Sequence, residues 1–147
     1  MKVHIKNTLI QPIIEMMFNW KLKGRYSRHR SKFIEKLSNQ LKVIVADEEV
    51  LVKEYSHLDE EGNPKKRIEN DTEVWDLKDE QSFLREKNEL WNEEFVIDGG
   101  NNETMLKTVK ELLDNSEEEF SGQEAILYNY LCDQFEQLEV GDENDND

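Results

Sequence analysis

The residues of this chain best suited to metal or nucleophilic chemistry are three histidines and one cysteine, and their placement argues against both. His4, His29 and His57 stand far apart, and none falls in an HxxxH, HExxH or Cys/His spacing that could close around zinc. Cys132 has no basic neighbour or partner histidine in sequence, so nothing draws its thiol toward the reactive thiolate. Its place beside Leu131, one turn after Tyr128, predicts a packed thiol rather than a nucleophile. Gly99-Gly100 lacks the Lys-Ser/Thr that completes a phosphate-cradling loop. The acid clusters Glu117–Glu119 and Asp142–Asp147 lack the glycine and terminal bidentate glutamate of a calcium loop. Carboxylates are so abundant that no catalytic pair stands out. The expectation is a protein that is not an enzyme and that holds no metal or cofactor.

Charge is the stronger signal, because it is sorted along the chain. Residues 1–46 carry ten Lys/Arg and two acids, a net of +8, whereas residues 47–147 carry nine Lys/Arg and 32 acids, a net of −23. Lys21, Lys23, Arg25, Arg28, Arg30 and Lys32 follow one another with no acid between them. Interleaved with Trp20, Tyr26 and Phe33, they form a candidate basic patch that could neutralise phosphates and stack on bases. A chain of net −15 repels a polyanion, which makes nucleic acid the weaker partner. Cations at the entry of a helix also oppose its dipole. The expected compensation is internal, from Glu117, Glu118 and Glu119, or comes from another protein. The acidic half supplies the candidate protein-binding residues Glu117, Glu118, Glu119, Tyr130, Asp133 and Glu136, where carboxylates steer a basic partner and a ring buries area. Tyr128 and Trp91 read more readily as core, while Tyr130 points away from the last helix's stripe and is expected to be exposed.

Several elements must position these groups. A length of 147 residues suits one domain, here 1–139 followed by an acidic, disordered tail at 140–147. Val3 and Ile5 alternate with Lys2, His4 and Lys6, predicting a short strand or extended arm. Thr8 is placed to cap a helix from about Leu9, with Pro12 in its first turn. Ile34, Leu37, Leu41, Ile44, Leu51 and Tyr55 recur at 3-4 spacing, with Glu48 in the one polar slot. They predict one helix over 27–57, a rod of roughly 45 Å, ended by the turn DEEGNP.

Residues 65–77 fit either a hairpin or a loop. A third helix is expected to start near Asp76, with Phe83, Leu84, Leu90 and Trp91 on one face. Phe95-Val96-Ile97 suits a strand that pairs with the N-terminal arm. Asn101 or Asn102 should cap a fourth helix. Ser121 and Glu124 form a capping box for a fifth, with Leu127, Tyr128, Leu131, Phe135 and Leu138 as its buried stripe. The fold class is therefore mainly α: a long central helix packed by three or four shorter ones, with a minor β component. No charge-free run approaches the roughly 18 residues of a membrane span, and the features of a signal peptide are missing. The single cysteine fits a reducing cytoplasm.

The segments LKGRYSRHRSKF at 22–33, KEYSHLDEEGNP at 53–64, NEEFVID at 92–98, KTVKELLDN at 107–115 and EEFSGQEAILYNYL at 118–131 resemble, in order and spacing, a family of small proteins of unknown function from phages and prophages of Gram-positive bacteria. The resemblance implies a mostly helical protein made in the cytoplasm of an infected or lysogenic host, with no catalytic residues to carry over. Such genes often lie near tail and lysis genes. Two roles compete: an assembly factor or tail chaperone that binds phage structural subunits, and a stoichiometric inhibitor of a host defence protein. The expected partner is another protein, with a homo-oligomer left open and no membrane involved.

Overall fold

The computed structural model describes the backbone of residues 2–145 and the side chains of residues 2–136. In chain order its elements are β1 (Lys2–Lys6), α1 (Asn7–Phe18), α2 (Gly24–Tyr55), β2 (Lys66–Glu69), β3 (Thr72–Trp75), α3 (Glu80–Asn92), β4 (Glu94–Asp98), α4 (Glu103–Asp114) and α5 (Gly122–Asp145). A 3-10 turn at Gly100–Asn102 leads into α4. The architecture is mainly helical with two small antiparallel strand pairs, as the periodicity predicts. Leu138 and the acidic stretch 140–147 lie outside the residues whose side chains are described. The domain expected over 1–139 is organised as two compact units, Met1–Leu41 with Glu94–Asp147, and Lys42–Glu93.

In the first unit, β1 and β4 pair antiparallel with Val3 opposite Ile97 and Ile5 opposite Phe95. Strand alternation sends Val3 and Ile5 inward, both fully buried, and leaves Lys2 and Lys6 outside. Each such aliphatic side chain contributes about 1.5–3 kcal/mol by leaving water. The expected Thr8 cap is not formed: β1 runs straight into α1, whose N-cap position is Lys6 without a side-chain cap bond. Pro12 consequently lies inside α1 rather than in its first turn. Its ring is exposed, and α1 survives the missing backbone donor because Ile10, Ile13, Met16 and Met17 are buried around it.

Gly24 starts α2 with φ +57, a conformation that costs glycine little and lets the chain turn sharply out of α1's exit. Phe33 and Leu37 of α2 are fully buried, and the Phe33 ring meets Phe135 of α5 edge-on at 5.8 Å. The stripe is therefore broader than the 3-4 run from Ile34, since Phe33 and His29 also face inward. Met105, Leu106, Val109, Leu112 and Leu113 of α4 complete this core with Leu131. Asn102 occupies the N-cap of α4 but makes no side-chain cap bond. Ser121 accepts the first bond of α5 through its backbone carbonyl, from Ala125 N at 3.4 Å.

The second unit is built from less apolar material. Its buried apolar side chains are Ile44, Val52 and Phe83. Glu48 fills the polar slot of the stripe, accepting from Trp91 Nε1 at 3.0 Å with Lys87 Nζ at 3.4 Å. Residues 66–75 form a hairpin, settling the alternatives at 65–77. Its two turn residues, Asn70 and Asp71, have φ of +52 and +63, as a two-residue I′-type turn requires. In the DEEGNP turn, Asp59 Oδ1 accepts the amides of Glu61 and Asn63, both at 2.9 Å. Asp79 is the N-cap of α3, and its carboxylate accepts from Ser82 N at 3.1 Å and Ser82 Oγ at 2.6 Å. Leu84, expected on the buried face of α3, is exposed.

Candidate functional site

One side of α1 lines a groove against α5. Leu9, Pro12 and Met16 come from α1, and Trp20 from just beyond its end; Ile126, Leu127 and Tyr130 come from α5. The groove has a volume of about 690 Å³. Three carboxylates, Glu15, Glu118 and Glu124, stand among its lining residues. Ile126 is 63% exposed, which leaves a large aliphatic side chain in water at the groove's wall.

The wall is held by a run of aromatic contacts. Trp20 meets Phe120 at 6.0 Å, Phe120 stacks on Tyr128 at 4.4 Å, and the Tyr128 hydroxyl donates to the Leu113 carbonyl. Burial pushes the Tyr128 phenol up to about 12, so it stays protonated and keeps that bond. Burial likewise pushes up the neighbouring Cys132 thiol, outweighing its interaction with Tyr128, which lowers it. The thiol is thus the packed, protonated group the sequence predicts. Tyr130 is half-buried rather than exposed: its hydroxyl accepts from Lys6 N at 3.1 Å, which pins the ring at the groove.

The expected acidic residues divide among different surroundings. Glu118 reaches the groove. Together with Glu117 and Glu119 it also lines an adjoining cavity with Trp20, Lys21 and Leu22. Asp133 and Glu136 are exposed on α5 and line neither cavity.

The basic segment divides too. Arg25 pairs with Glu111 at 3.2 Å and lies over the Tyr26 ring, while the Tyr26 hydroxyl donates to the other oxygen of Glu111 at 2.7 Å. Arg30 is half-buried and donates to the carbonyls of Met17 and Trp20, each at 2.8 Å, capping the C-terminal end of α1. Lys21 shares the cavity of Glu117–Glu119, and Lys32 lines a separate polar cavity with His29 and Lys36. Lys23 and Arg28 are exposed. The internal carboxylate that meets the segment directly is Glu111, where the sequence pointed to Glu117–Glu119.

His4 Nδ1 sits 3.1 Å from Glu94, His57 is exposed, and His29 is buried. Among the described residues no three His, Cys, Asp or Glu side chains gather as metal ligands would. No helix among them is long and apolar enough to cross a membrane. Sequence reasoning missed Leu9, Met16, Ile126 and Leu127 as groove residues. For Leu9 and Met16 the signal that could have found them is an apolar excess on α1 beyond what a single buried stripe needs.

Compared with known families, residues 1–142 match the one described as Protein of unknown function (DUF1617). No curated protein matches the chain, and no solved structure does.

Proposed function

We propose a protein-binding role for this chain, which belongs to the DUF1617 family of proteins of unknown function: it holds a basic, amphipathic segment of another protein in the groove between α1 and α5. The observation that carries this reading is an apolar groove with an exposed Ile126 and three carboxylates, Glu15, Glu118 and Glu124. Apolar walls supply affinity by burying the partner's side chains, and the carboxylates select a cationic one and speed its approach. The net charge of −15 reinforces that selection. The charged groups lining the groove are acids that can attract, and the thiol of Cys132 on α5 is held protonated, which favours binding over catalysis.

The resemblance to phage and prophage proteins extends the reading. The protein works without enzymatic activity in the cytoplasm of an infected or lysogenic bacterium. It occupies either a basic surface on a host defence protein or a basic segment of a phage structural subunit during tail assembly. Affinity purification of the tagged protein from infected cells, beside Ile126→Glu, separates these. Tail subunits recovered by the wild type alone support assembly, and one host protein recovered by the wild type alone supports inhibition. Ile126 is exposed, so the variant should fold, with an unchanged circular dichroism spectrum as the check. Equal recovery by both proteins would remove the groove from the account.

A further inference from the structure

The hairpin of β2 and β3 is braced more firmly than it is covered. Lys66 Nζ lies over the Trp75 ring at 4.8 Å, and Arg67 pairs with Glu69 at 3.0 Å. Yet every residue of β2 is exposed, as are Thr72, Glu73 and Trp75 of β3, and Ile68 keeps 78% of its surface in water. Among the described residues neither strand has a second neighbour. A two-stranded sheet with so little burial is marginal by itself, and its open edges are templates for another strand.

The register decides which groups the β2 edge offers. Glu69 and Thr72 flank the two-residue turn, and further along the Asp76 amide donates to the Lys65 carbonyl at 2.9 Å. Bonded positions in an antiparallel pair recur at every second residue, so Arg67 and Glu69 direct their backbone groups at β3. The N–H and C=O of Lys66 and Ile68 therefore point away from it. Side chains alternate too. Ile68 shares one face with Lys66, Glu73 and Trp75, while Arg67 and Glu69 share the other with Val74 and Thr72.

We propose that β2 pairs antiparallel with β2 of a second copy of this chain, about a two-fold axis through Ile68. Ile68 then exchanges both backbone bonds with the partner's Ile68, and the two side chains meet on one face, covering the most exposed large apolar group among the described residues. On the other face Arg67 comes opposite the partner's Glu69, and Glu69 opposite the partner's Arg67. The ion pair within each strand thereby extends into a ring of four alternating charges. Neighbouring choices lack this complementarity. An axis through Arg67 sets two arginines against each other, and one through Glu73 on the β3 edge does the same with two glutamates. The hairpin belongs to the unit Lys42–Glu93 and shares no residue with the α1/α5 groove, so either assignment can fail without the other.

The test is sedimentation equilibrium of the full-length protein over a wide range of concentration, where the mass should rise to twice that of one chain. Ile68→Pro deletes an N–H that points away from β3, and should weaken the dimer by about tenfold or more, because both central bonds are lost. Arg67→Glu and Glu69→Arg each set like charges face to face at two places, and each should weaken it by about tenfold. An equal mixture of these two single variants restores opposite charges at both places and should recover the dimer. Unchanged circular dichroism spectra check that the variants fold. A wild type that stays monomeric at every concentration would overturn the proposal, whether or not an extended segment of a different protein takes the edge. A dimer that Ile68→Pro leaves intact, or a mixture that recovers nothing, would overturn it equally.

Discussion

The two units differ in what holds them together. The unit formed by Met1–Leu41 and Glu94–Asp147 buries Val3, Ile5, Ile10, Ile13, Met17, Phe33, Leu37, Leu106, Leu113 and Leu131 to complete exclusion of water. The unit Lys42–Glu93 leaves Val43, Val45, Val50, Ile68 and Leu84 exposed. It depends on directional contacts instead: Glu48 with Trp91 and Lys87, Asp79 with Ser82, and Asp59 with its own turn. One helix, α2, serves both, with aromatic and aliphatic anchors in its first half and a carboxylate among its anchors in the second. Apolar burial is tolerant of small shifts, whereas a hydrogen-bonded slot fails when one partner is lost.

That contrast can be broken most forcefully in the aliphatic unit. Phe33→Ala removes a fully buried ring packed on Phe135 and should cost about 3–5 kcal/mol, read from the urea midpoint. A cost below about 1 kcal/mol would show that the aromatic pair is not a core. Glu48→Ala should cost about 1–3 kcal/mol by leaving the Trp91 indole without its acceptor. The loss should accompany faster hydrogen exchange in residues 80–92. Asp71→Val places a β-branched residue at φ +63 and should cost on the order of 1–2 kcal/mol, whereas Asp71→Gly should be neutral or stabilising, both measured by thermal melting.

The smallest effect is with pH. His29 is held below the ordinary imidazole value of 6.5, first by burial and then by Lys32, Arg28 and Arg25, with Lys36 and Glu35 sharing its cavity. Below pH 6.5 the unfolded chain takes up a proton that the folded chain refuses. His29's contribution is therefore complete above that pH and is lost as pH falls toward the depressed folded value. His29→Gln should flatten this limb in urea titrations run between about pH 5 and 8.

Elements with a strong local period were legible in the sequence. The alternation in 2–6 and the apolar run at 95–97 predicted β1, β4 and their pairing, because a strand's faces are set by its own residues. Glu48 was legible as the polar member of a regular stripe. The hairpin was ambiguous because Asn70-Asp71 carries a weaker turn signal than Asn-Gly. Thr8 misled because a strand that runs directly into a helix leaves no residue free to turn back and cap it. The groove and the polar cavity of His29 were out of reach for a different reason. Each is lined from two helices far apart in sequence, α1 with α5 and α2 with α4, and periodicity reports only one helix at a time. The Glu111 partner of Arg25 lies 86 residues away and was hidden for the same reason.

The pairing of β1 with β4 also sets a schedule for synthesis. Lys2 lies opposite Asp98, so β1 has no partner until the chain has passed residue 98. At about 5–20 residues per second that wait is on the order of 5–20 s. During it Val3, Ile5, Ile10 and Ile13 have no β4, α4 or α5 to shelter them. The nascent chain is therefore most exposed to wrong partners, and most dependent on chaperones, while β1 and α1 wait for these later elements.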